Sequence, residues 1–442
     1  MTGDPLPGVL IAVPVVLLLC GAGAAVMRRC GQTAVIGEIA VGIVLGPSLL
    51  GWVWPAAQGR LLPAEVLPYL GLLGNLGLVV FMFLVGLELD HGLLRGRGRV
   101  VVVMGQASVV VPLVLGGLLA TAMYGSFAPE GVGRGAFVLF VAVAMSVTAF
   151  PVLARILTEQ GLHGTPVGVV AMACAAVADV VAWCLLAAVV AVADGSGRGV
   201  AGAVVTGVLT VGYLAGMWWG VRPVLARCVE WWDGGGAVAL FAGLFLAAYA
   251  TDAIGVHALF GAFVFGAVVP RDRAPVERAA RRMREVVVPV LLPLFFVGSG
   301  LQTDIGLLGG DLGAWLWAGA VLLVAVAAKW GGGAGAAWAA GQPVREAVVL
   351  GALLNCRGVT ELVVLNVGLG LGVIGPELFT VLVLMALVTT ALTGPVVRRL
   401  TGRGADKGVS AADRVNVADA VDGVQTADTD DAARGTSPPA DR

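Results

Sequence analysis

Lysine is nearly absent from this chain. Lys329 and Lys407 are its only two, and the other 25 of its 27 basic residues are arginine. Histidine occurs three times (His91, His163, His257) and never in a cluster, so no histidine set supports a metal site. The six cysteines, at 20, 30, 174, 184, 228 and 356, show no pair spacing of a metal site or a disulfide framework; several lie within apolar runs, where free buried thiols are expected. Charged residues make up only 12% of the chain, about half the share usual in a soluble domain. The formal net charge of -1 argues against nucleic acid as a partner. No Lys or Arg precedes the first apolar run, as a secretory signal would require, so that run is expected to be a genuine span. Gly370, Gly372 and Gly375 spell a dinucleotide fingerprint, but they follow an apolar run with no βαβ context, and no cofactor is expected.

What the chain has is apolar sequence. Hydrophobic residues reach 59% and the mean hydropathy is +0.96, which places it among all-α polytopic membrane proteins. Thirteen apolar spans are expected, near 6–27, 33–50, 66–87, 100–124, 135–157, 165–193, 200–221, 236–252, 254–270, 286–302, 312–340, 346–374 and 376–397. The eleventh and twelfth exceed the usual length and are expected to include re-entrant or interfacial turns. Arginines sort by loop. Arg28, Arg29, Arg95, Arg97, Arg99, Arg222, Arg227, a group of six between Arg271 and Arg284, Arg345, Arg398 and Arg399 fall on one side. The opposite loops hold only Arg60, Arg134 and Arg198. By the positive-inside rule the N-terminus is outside a cell membrane and the C-terminus is cytoplasmic. Residues 1–400 read as the transmembrane domain. Residues 401–442 carry eight Asp against five Lys plus Arg, with no aromatic residue, and read as a disordered acidic cytoplasmic tail.

The stretch from Thr165 to Ala193 contains one acidic or basic side chain, Asp179, with fourteen residues on either side of it. A helix of that length places the carboxylate near the bilayer midplane, where a charged Asp costs roughly 2.5–3.5 kcal/mol. It is either satisfied by a helix neighbour or part of a site that trades a proton for a cation. Lys329 lies inside the eleventh span, and a lysine, unlike an arginine, can release its proton in a membrane. Snorkelling is the alternative for Lys329, although eleven apolar or small residues follow it.

Two spans look interrupted. In MSVTAFPVLARIL, Pro151 lacks a backbone donor and disfavours helix at Phe150, freeing carbonyls near Ser146 to Ala149, with the Thr148 hydroxyl beside them. In LLNCRGVTELVVLN stand Asn355, Arg357, Gly358, Thr360 and Glu361. Arg357 and Glu361 could pair on one helix face, or the segment could break at Gly358 and turn each charge elsewhere. These spans are separated by an odd number of steps and so run in opposite directions. Interrupted helices in corresponding positions of two inverted halves point to a transporter site. Glu38 sits within the second span. Glu88, at the cytoplasmic end of the third, is unremarkable, and Asp252 and His257 flank a short turn for which an interfacial role is expected.

Seven segments together resemble monovalent cation:proton antiporters of family 2, the sodium/hydrogen exchanger-like group that includes plant cation/proton exchangers and bacterial potassium-efflux antiporters. They are VIGEIAVGIVLGPSLLG, VVFMFLVGLELD, MSVTAFPVLARIL, ADVVAW, HALFGAFVFGAVVP, PLFFVGSGLQTDI and LLNCRGVTELVVLNVG, in order along residues 33–395. The resemblance implies a thirteen-helix inverted-repeat fold with two crossed, unwound helices, a homodimer, and a core domain that moves against a fixed dimerisation domain. It makes Asp179 the ion-binding carboxylate, Thr148 a further cation contact and Lys329 the basic residue of the core. Ser146, Pro151, Asn355, Arg357, Glu361 and Glu38 would support them. The expected activity is exchange of Na+ or K+ for H+ across the bilayer. Two departures stand out. Ala178 precedes Asp179 where relatives commonly carry Asp, Asn or Gln, and no nucleotide-binding domain follows the membrane region, which makes nucleotide or glutathione gating unexpected. Ala178 also leaves a lone buried acid, so the alternative is a membrane enzyme on the same scaffold that protonates a lipophilic, isoprenoid-type substrate.

Overall fold

The computed structural model describes residues 5–88, 98–162, 165–193, 199–228 and 236–401. His91, His163, Arg95, Arg97, Arg198 and the proposed tail from 402 onward lie outside the described residues. All the regular structure in the described part is helical. Residues up to Val397 group into one compact unit; the second begins at Arg398, of which only the last four residues of helix Pro376–Thr401 are described.

Nine helices among the described residues are long and apolar enough to cross a membrane. The remaining expected spans are shorter or interrupted. The fifth is two half-helices, Arg134–Ser146 and Phe150–Glu159, and the twelfth is Val344–Leu354 and Val359–Gly370. The seventh passes from Gly199–Ala215 through a π-helical turn, Gly216–Val221, into Arg222–Cys228. The ninth is the eleven-residue helix Ala258–Val268. For the eleventh span the expected turn is not there. Leu312–Val326 continues through a π-helical turn, Ala327–Gly331, into Gly332–Ala339, so the extra length is an over-wide turn and not a reversal. Lys329 is in that turn, a deformation that recurs at functional sites.

Packing sorts the helices into two groups. One holds Leu6–Arg29, Ala34–Leu45, Leu67–Glu88, Gly236–Ile254, Ala258–Val268 and Leu292–Leu301. The other holds Gly98–Phe127, the two broken helices, Pro166–Ala193 and the helix that carries Lys329. Small residues set the spacing within each group, as is usual between membrane helices. Gly42 lies against Gly300 in the first group. Gly333 lies against Gly351 in the second, where a Cβ on Gly333 would come within 3.2 Å of the Gly351 backbone. Helix Pro376–Thr401 is bonded to the turn that follows Leu292–Leu301 and to the second break. Its Thr380 hydroxyl accepts the Asp304 backbone N–H, and its Thr390 hydroxyl donates to the Arg357 carbonyl.

Candidate functional site

The two breaks meet. The Ala149 N–H of the first donates to the Cys356 carbonyl of the second at 3.2 Å, so extended backbone from one interrupted helix lies against that of the other. Irregular backbone at membrane depth survives only where its polar groups find partners in protein or in a wet cavity. Here protein supplies many of them.

The first half-helix ends at Ser146, and Val147 turns to extended backbone (φ -62°, ψ 142°). Its last carbonyls would lack intrahelical donors. Two cations from distant segments reach them. Lys329 Nζ donates to Ser146 O at 2.5 Å and also to Thr148 Oγ1. Arg357 donates to Met145 O at 2.7 Å and to Ala144 O at 3.3 Å. Positive charge at a helix C-terminus also complements the helix dipole. At the other side of the break, the Asp179 carboxylate accepts the backbone N–H of Phe150, the first residue of the second half-helix. A carboxylate there meets unsatisfied donors and the positive end of the dipole.

The second break carries its own charges. Arg357 donates to Glu361 Oε1 at 2.8 Å, and both side chains are fully buried. Each alternative left open by the sequence is met in part: the helix breaks at Gly358, but the charges are not turned apart, and the pair forms across the break instead of on one helix face. Thr390 closes the segment, its hydroxyl accepting the Arg357 N–H at 3.1 Å and donating to the Arg357 carbonyl at 2.6 Å. Thr390 was missed by sequence reasoning; the signal was the Thr389–Thr390 pair within the long apolar run of the last span.

Asp179, Lys329, Thr148, Ser146, Asn355, Arg357 and Glu361 are all no more than 3% exposed. Asp179 Oδ1, Asn355 Oδ1 and Glu361 Oε2 are buried oxygens with no hydrogen-bond partner. Pro151 is the second residue of its half-helix, where a missing N–H removes no internal bond. Glu38 does not join this set. It is half-buried on Ala34–Leu45, in the first helix group, near enough to act electrostatically on Cys20 of Leu6–Arg29 in that same group. A separate cavity of about 420 Å3 is lined by Asn75, Asp252, His257, Phe295 and Asn366. The Asn366 amide there is already held by Ser299 and Gln302.

The family described as sodium/hydrogen exchanger, transmembrane, matches residues 15–402. The chain is similar to the Na+/H+ antiporter NhaS4 of Synechocystis, 40% identical over 84% of this chain and 92% of that one. It is also similar to cation/H+ antiporter 18 of Arabidopsis thaliana (38%, 89% of this chain) and K+/H+ antiporter 1 of Saccharomyces cerevisiae (34%, 89% of this chain). It spans just under half the length of these two, 49% and 46%. Among solved structures, that of the sodium proton antiporter MjNhaP1 from Methanocaldococcus jannaschii matches 91% of this chain and 98% of its own, with a TM-score of 0.58. At 14% identity this likeness shows a shared fold.

Proposed function

From membership of the sodium/hydrogen exchanger family, to which this chain belongs, we propose that it exchanges a monovalent cation, Na+ or K+, for a proton, with both competing for Asp179. The observation that carries this reading is the state of that carboxylate. It is buried at mid-helix and held by one backbone N–H, and its second oxygen meets no donor. Such an oxygen is satisfied by a proton or by a cation, and either partner lowers the cost of moving the charge through a membrane.

The charges around it suit that task. Lys329 and Arg357 balance Asp179 and Glu361. Adding a proton to Asp179, or binding one monovalent cation to it, brings the four-charge set to the same net value. The two loaded forms then differ in occupant and not in charge. Thirteen crossings in two inverted halves, with the N-terminus outside and the C-terminus cytoplasmic, bring the oppositely directed broken helices together at mid-depth. The group holding the breaks is the part that moves. The group containing Leu6–Arg29 and Leu67–Glu88 is the fixed scaffold and the dimer contact.

The test is purified protein in liposomes with an internal pH dye, challenged with Na+, K+ and Li+ in turn. Asp179→Asn is expected to abolish cation-dependent proton flux while leaving melting temperature and oligomeric state unchanged, because an amide neither takes up nor releases the proton. A variant that keeps wild-type flux would refute the assignment. Family membership favours exchange over the general-acid alternative; a wild type with no cation-dependent flux would reopen it.

A further inference from the structure

Two further oxygens at the crossing are in the same condition as Asp179 Oδ1: Glu361 Oε2, whose carboxylate is already paired with Arg357, and the side-chain oxygen of Asn355. Asn355 is 3% exposed, and its side-chain carbonyl meets no donor. A buried amide oxygen without a donor is costly, and natural interiors rarely keep one unless a ligand or water completes it. Its position follows from the backbone. Asp179 accepts the N–H of Phe150, and the preceding N–H, that of Ala149, goes to the carbonyl of Cys356, which directly follows Asn355. The half-helix Val344–Leu354, which ends at Asn355, packs on Pro166–Ala193, which carries Asp179. Meanwhile Ala178, buried beside Asp179, brings only a methyl group where an oxygen would be useful.

Resting on the exchange reading above, we propose that the Asn355 side-chain carbonyl is a ligand of the transported cation, completing with Asp179 Oδ1 the coordination that position 178 cannot supply. Oxygen donors suit hard alkali cations. An amide oxygen adds a ligand without adding a proton site. Asp179 therefore receives both substrates, whereas Asn355 receives only the cation. Thr148 is less free for this role, because its hydroxyl already accepts from Lys329.

Replacing Asn355 should thus change cation affinity and leave proton handling alone. In proteoliposomes, Asn355→Ala is expected to raise the half-saturating cation concentration about tenfold, the size of one lost polar ligand. Flux should persist at high cation concentration, whereas Asp179→Asn stays inactive at every concentration. Asn355→Asp keeps the volume and supplies a stronger anionic oxygen, so the preference among K+, Na+ and Li+ should move toward the smaller ions. A residue that only packs the crossing, or that holds a buried water, would lower melting temperature or rate while leaving half-saturation and ion order unchanged, and that result overturns the proposal. If Asn355→Ala does not fold, Asn355→Asp decides alone, and an unaltered ion order counts against it. The two readings fail differently. An inactive wild type or an active Asp179→Asn sinks the exchange reading, whereas an active wild type, a dead Asp179→Asn and an unmoved Asn355→Ala sink only the role of Asn355.

Discussion

The first break borrows its charges and the second brings its own. Between Ser146 and Phe150 the chain supplies hydroxyls and bare backbone, and Lys329, Arg357 and Asp179 arrive from three other segments to cap it. Between Leu354 and Val359 the capping pair, Arg357 and Glu361, belongs to the interrupted helix itself, four residues apart. A self-neutralised break can hold its shape whatever is bound nearby. A break capped from outside depends on the charge state of its neighbours, which is the property a proton- and cation-sensitive site needs. On the proposed exchange reading, the difference places proton-sensitive ion handling at the first break and makes the Arg357–Glu361 pair of the second a scaffold, beside which Asn355 offers the cation only a neutral carbonyl.

The strongest challenge to that division is removal of an outside cap. Lys329→Ala strips the Ser146 carbonyl and Thr148 of their donor, and two hydrogen bonds to a buried charge are lost. We expect a destabilisation of about 3 kcal/mol together with loss of exchange, read as melting temperature and proton flux on the same preparation. Lys329→Arg sharpens the point, since arginine can still cap but cannot give up a proton. Exchange retained in Lys329→Arg would mean that capping is the whole of the residue's role.

A smaller effect is expected at the second break. Glu361→Gln leaves Arg357 without its carboxylate but still bonded to Met145 and Ala144, so a cost of about 2 kcal/mol is expected. The cation order and half-saturation should not change, because Glu361 belongs to the neutral scaffold. A shift in ion order would bring the Glu361 carboxylate itself into the transport site and undo the comparison.

The smallest expected effect is none at all. With one exchanging carboxylate, each cycle moves one cation and one proton in opposite directions without net charge. In proteoliposomes clamped at set potentials, the cation gradient at which proton flux reverses should not move. Transfer of one net charge would instead couple about 2.3 kcal/mol per 100 mV. A moving reversal point would place a second proton on Lys329.

Much of this arrangement was legible in the sequence because a membrane makes polar residues conspicuous. Asp179 and Lys329 stand alone in long apolar runs, and Pro151 and Gly358 mark the breaks within a few residues. What could not be read was which partner each charge would find. Lys329 was legible as a buried base, but its hydrogen bonds go to Ser146 and Thr148, because a helix end offers donorless carbonyls that no residue name reveals. The cap on Asp179 is likewise a backbone N–H, invisible in side-chain chemistry. The eleventh span was misread for a related reason: a π-helical turn lengthens a helix without any Pro or loop residue to announce it.

The capping of Arg134–Ser146 from far along the chain also bears on how the protein is made. Lys329 lies 183 residues after Ser146, and Arg357 lies 213 after Ala144. At roughly 5–20 residues per second, ribosomes need about 10–40 s to produce those caps after the half-helix itself. During that interval a thirteen-residue helix, too short to span a bilayer alone, carries open carbonyls at the depth of the hydrocarbon. The segment must therefore wait at the translocation channel or against Gly98–Phe127, on which it packs in the finished protein. Its final seating is one of the last events in biogenesis, although it is encoded in the first half of the message.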